Sequence, residues 1–126
     1  MKIIVYNYQK QFALSRKQIE TIKEILPKEY FAPIREFHIT TESPGQERFE
    51  FDYDTRIAYF EYKVDQKTKE NVTDAIEHLL IGLIRIKEKE NFGHYIKESN
   101  KTKYEPFVLE WKNKCINEFE KIKNRR

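Results

Sequence analysis

The chain lacks most of the features that would assign it to a specialised class of protein. Its 126 residues hold a single cysteine, Cys115, which excludes an intramolecular disulfide framework. No apolar run approaches the roughly 20 residues that a membrane-spanning helix requires. Internal repeats, low-complexity tracts and linker-like segments are absent. Charge of one sign is scarce too: 24 basic and 21 acidic residues leave a formal net charge of +3, too small to argue for a nucleic-acid partner by electrostatics. Met1-Lys2 runs through Ile3-Ile4-Val5-Tyr6 into polar sequence, without the apolar core of a signal peptide. The expectation is a single reduced, cytoplasmic domain over residues 1–126, with no membrane partner and no nucleic acid.

What the chain does have is aromatic mass and one long apolar segment. Hydrophobic residues make up only 39%, but aromatics reach 14% with nine Phe, eight Tyr and one Trp, and each buries a large area. Charged residues are interspersed in sign, as on a well-solvated surface; the basic end, Lys121 to Arg126, reads as a solvated terminus.

Local patterns predict the elements in order. Ile3 to Tyr8 is β-branched and aromatic, a first strand. Ser15 and Gln18 have capping-box spacing, and Ile19, Ile22, Ile25 and Leu26 form a helical face that Pro27 ends. Ile34 to Thr41 alternates, with Phe37 and Ile39 on one face and Glu36 and His38 on the other, the latter needing no function. After the turn signal Ser43-Pro44-Gly45, Phe49, Phe51 and Tyr53 alternate with acidic residues. Tyr53 to Arg56 can turn the chain into a more central strand from Ile57 to Val64.

Asn71, with Asp74 in the first turn, is the expected N-cap of a long helix that Gly93 closes. A last helix opens at Pro106 and buries Val108, Trp111, Cys115, Phe119 and Ile122; on that stripe Cys115 is an inert core thiol. The fold class is α+β: an N-terminal helix, a small twisted and mostly antiparallel sheet, a long buried central helix and a C-terminal helix.

The central helix carries the functional question. From Thr73 to Ile86 apolar residues fall on nearly every side, which marks a buried helix. Glu77, His78 and Gly82 interrupt it. A buried carboxylate and imidazole need partners or a role, and a mid-helix glycine costs about 1 kcal/mol against alanine. Its compensation is a close approach by a strand or by the last helix, with Trp111 as one candidate. Of the three histidines only His78 has a buried address, while His94 sits at a helix end, where an imidazole meets the last carbonyls.

The order of elements from Leu26-Pro27 through Ile34–Ile39, Gly45, Phe49–Tyr53 and Ile57–Phe60 into this helix resembles the zincin-like metallopeptidase domains. In that family the helix carries His-Glu-x-x-His, with two zinc-binding histidines one turn apart and a glutamate that activates water. Here the matching segment is His78-Leu79-Leu80-Ile81-Gly82. Leu79 cannot take a proton and Gly82 offers no ligand, so the resemblance implies a zincin-like domain with a degenerate motif and no metal. Its function would then be to bind a partner protein or peptide at the sheet edge, where active members hold extended substrate. His78 and Gly82 mark the relic site, and Phe49, Phe51, Tyr59, Phe60 and Tyr62 are candidates for the groove lining.

Two alternatives keep catalysis. Asp74-Ala75-Ile76-Glu77-His78 resembles the inverted motif His-x-x-Glu-His with aspartate in the first place. Zinc on Asp74 and His78, with His94, Glu98 or Glu105 as third ligand and Glu77 as base, would give a metal-dependent hydrolase. The other is a restriction-endonuclease-like nuclease, with Glu61-Tyr62-Lys63 on a strand after Asp52 and Asp54 holding a divalent metal. In the structural reading, Glu61 and Lys63 simply alternate outward into solvent.

Overall fold

A computed structural model describes residues 1–6, 12–40, 48–62, 64, 66–89 and 103–124. The elements are β1 (Lys2–Val5), α1 (Arg16–Ile25), a 3-10 turn (Lys28–Tyr30), β2 (Glu36–Ile39), β3 (Arg48–Asp52), β4 (Ile57–Glu61), α2 (Lys69–Lys87) and α3 (Glu105–Asn124). The chain is therefore α+β, with three helices and one four-stranded sheet among the described residues.

The sheet is mixed rather than mostly antiparallel. Its order is β1-β2-β4-β3; β1 with β2 and β2 with β4 are parallel, and only β3 with β4 is antiparallel. The physical reason lies in the connections. The α1 crossover brings β2 back in the direction of β1, as a parallel pair demands. After β2 the chain reaches the sheet edge with β3 before the 53–56 turn returns β4 to an interior position. Arg56, at φ 60°, supplies the left-handed residue of that turn. The segments containing Ser43-Pro44-Gly45 and Gly93 lie outside the described residues.

One face of the sheet is apolar because its strands alternate in register. Ile3, Phe37, Ala58 and Phe51 share one row, and Val5, Ile39, Phe60 and Phe49 the next. Phe37, Phe49 and Phe60 form a triangle with ring centroids 5.9, 6.0 and 5.7 Å apart. This face joins Ile19 and Ile22 of α1, Ile76 to Ile86 of α2, and Val108 and Cys115 of α3 in one core. Each fully buried Leu or Ile contributes about 1.5–3 kcal/mol.

α1 begins at Ser15 with the expected capping box: the Ser15 hydroxyl accepts from Gln18 N–H, and the Gln18 amide oxygen accepts from Ser15 N–H. α2 begins earlier than expected. Its N-cap is Thr68, whose hydroxyl accepts the Asn71 N–H at 3.1 Å, so Asn71 lies inside the first turn. It also closes earlier, with Lys89 at φ 58° just beyond its last turn. His78 to Ile86 are all buried, the all-round burial the apolar run implied. No helix among the described residues is long and apolar enough to cross a membrane. Burial pushes the Cys115 thiol up to about 12.

Candidate functional site

α2 runs its N-terminal half past the end of β4 and its C-terminal half under β3. The spacing of four between Asp74 and His78 puts both on one side of the helix, and Tyr62, just beyond β4, closes over them. The Tyr62 hydroxyl donates to Asp74 Oδ2. His78 Nδ1–H donates to the Asp74 carbonyl at 2.9 Å, with Asp74 Oδ2 at 3.5 Å. The Tyr62 and His78 rings meet edge to face, centroids 5.6 Å apart. The imidazole is thus held by its own helix backbone, and that bond fixes Nδ1 as the protonated nitrogen.

Glu77 takes another direction. Its carboxylate pairs with Lys112 of α3 at 3.0 Å, in a half-buried bridge. The inverted-motif residues are therefore split: Asp74 and His78 meet Tyr62, whereas Glu77 faces α3. Of the proposed third ligands, Glu105 is exposed in the first turn of α3, and His94 and Glu98 lie outside the described residues. Among the described residues, no group of three or more His, Cys, Asp or Glu is arranged to hold a metal ion.

Gly82, one turn beyond His78, is filled from the sheet. A Cβ built there would lie 2.8 Å from Phe49 Cγ and 2.9 Å from Cδ1. The close approach comes from strand β3 and not from Trp111. Where the zincin motif would place a second ligand, this helix receives an aromatic ring. Of the candidate groove residues, Phe49, Phe60 and Tyr62 are core, and Phe51 and Tyr59 are half-buried.

Two expectations from strand alternation need correction. Glu61 is fully buried, at 0% exposure, instead of facing solvent. β4 is an interior strand flanked by β2 and β3, so its outward positions have a neighbouring strand on either side. Lys63, its partner in the nuclease reading, lies outside the described residues. The β1-α1-β2 unit does supply a parallel strand pair with a helix between.

His78 is also not alone in being buried: His38 and His78 are both 8% exposed. On the outer face of β2, His38 Nε2–H donates to Glu36 Oε1 at 3.1 Å. Its ring lies 5.2 Å from both the Tyr6 and Tyr59 rings. The hydrogen bond from His38, with Arg35 nearby, holds the Glu36 carboxyl below its usual range. The i, i+2 spacing of Glu36 and His38 was visible in the sequence; the two tyrosines arrive from β4 and from just beyond the end of β1. The chain was compared with protein families, curated proteins and solved structures, and it matches none of them.

Proposed function

We propose that this domain is a zincin-like binding module that holds an extended partner peptide along β3, without a working metal site. The observation that carries the reading is the asymmetry of the sheet edges. Among the described residues β3 is the outermost strand on its side of the sheet, fastened through Phe49 to α2, and an edge strand offers backbone donors and acceptors to an added strand. At the other edge, the Arg16 guanidinium already donates to the Ile3 carbonyl. The engagement of Asp74, His78 and Glu77 with Tyr62, the helix backbone and Lys112 supports a structural role for all three. A chain with one cysteine, and that one buried, suits a reducing cytoplasm.

A displayed library of random peptides tests the reading, followed by NMR mapping of the selected sequences. Binding should shift the amides of residues 48–52, and N-methylation of the peptide backbone should abolish it. Mapping to β1 or to a helix surface would refute β3 addition. Zinc-dependent cleavage of the same peptides, lost in Glu77→Gln, would establish the hydrolase instead.

A further inference from the structure

A groove unconnected with β3 lies where the N-terminal ends of α1 and α2 meet the C-terminal half of α3, with a volume of about 590 Å³. That falls in the range of small-molecule sites, about 300–1,000 Å³. Its apolar wall is Val72 of α2 with Ile116, Phe119 and Ile122 of α3. Its polar lip is cationic: among the described residues Lys17, Lys67 and Lys69 line it against the one carboxylate of Glu120.

None of the three lysines takes part in an ion pair among the described residues. The Lys67 ammonium instead meets the Gln18 amide oxygen at 2.6 Å, an oxygen already accepting from Ser15 N–H. A neutral amide cannot neutralise an ammonium, and partial burial lowers the Lys67 pKa from its ordinary value. An anion seated at this lip would meet three cations and one opposing carboxylate among the described residues.

We infer that the groove binds a soluble medium-chain monocarboxylate, its head group at Lys67, Lys17 and Lys69 and its tail along Ile116, Phe119 and Ile122. The charge of the lip selects an anion over an alcohol or amine, and the apolar wall selects an amphiphile over an inorganic ion. Tail length follows from the helix. The six-residue span from Ile116 to Ile122 rises about 9 Å, the reach of a chain of about eight carbons.

The test is calorimetric titration of the full chain with octanoate, hexanoate and octan-1-ol, with NMR mapping of the bound form. Octanoate should bind and perturb amides lining the groove, and hexanoate should bind about tenfold more weakly. Lys67→Gln, at an exposed position that leaves the capping box intact, should weaken octanoate by about tenfold and leave octanol unchanged. Lys23→Gln, outside the groove, should change nothing. Equal affinity for octanoate and octanol, an unchanged Lys67→Gln, or shifts confined elsewhere would overturn the inference. Sedimentation with phosphatidylserine vesicles in place of octanoate binding would also overturn it, by making the lip a membrane contact. Because the readout lies on the helices, it is independent of whether peptides bind β3.

Discussion

At one edge of the sheet β1 has its outward Ile3 carbonyl covered by Arg16; at the other, β3 is secured from beneath by Phe49 against Gly82. Both devices manage an exposed edge strand, but by different physics. Arg16 covers the hydrogen-bonding rim with a charged side chain and contributes little packing. Phe49 and Gly82 contribute packing beneath the strand. Under the proposed peptide binding, β1 is the edge that refuses partners and β3 the edge that stays rigid while accepting one, and the two roles call for these opposite solutions.

The largest effect should come from breaking the β3 fastening. Phe49→Ala should lose about 3–5 kcal/mol in urea unfolding. Gly82→Ala should lose about 1–2 kcal/mol, because the clash reaches the root of the Phe49 ring, where little can give, and outweighs the gain in helix propensity. In the Phe49→Ala background the same change should become neutral or stabilising. An equal loss in both backgrounds would mean that Gly82 answers to something other than Phe49.

Removing the β1 guard should act differently. Arg16→Ala should cost about 1 kcal/mol or less while increasing concentration-dependent association in sedimentation velocity. Unchanged association would show that Arg16 does not protect this edge.

The smallest effect concerns the end of β3. Asp52 accepts the Asp54 N–H at 2.9 Å and the Thr55 N–H at 3.3 Å, and these bonds hold its carboxyl below the ordinary aspartate value. The depressed pKa means the stabilisation is complete above about pH 4. It is lost as pH falls through the lower folded value. Asp52→Asn should therefore flatten the acid side of a melting-temperature profile below about pH 4 and leave that side's neutral end nearly parallel to the parent. An unaltered acid limb would remove Asp52 from the turn's energetics.

Legibility followed the range of the interactions. The α1 capping box is complete within four residues, and Ser15 and Gln18 announced it. The buried centre of α2 was equally plain, because nine consecutive positions, His78 to Ile86, leave no polar face for solvent. The start of α2 was less so: Thr68 and Asn71 can both cap a helix, and Thr68 does so by accepting from Asn71 itself. Sheet order was not legible, since strands β2, β3 and β4 follow one another in sequence while β4 lies between the other two in space. The site suffered in the same way. Alternation placed Glu36 and His38 on one face, but the cover over His38 comes from Tyr6 and Tyr59. Glycine at position 82 announced a close neighbour without naming a ring 33 residues earlier in the chain.

Cys115 gives the molecule a built-in clock. With no exposed surface and a thiol pushed up to about 12, it has almost no thiolate to offer while α3 is docked. Any alkylation at neutral pH must therefore wait for α3 to lift, so the rate of labelling counts those openings. A ligand in the groove along Ile116, Phe119 and Ile122 would slow that clock, whereas a peptide on β3 would reach it only through the core.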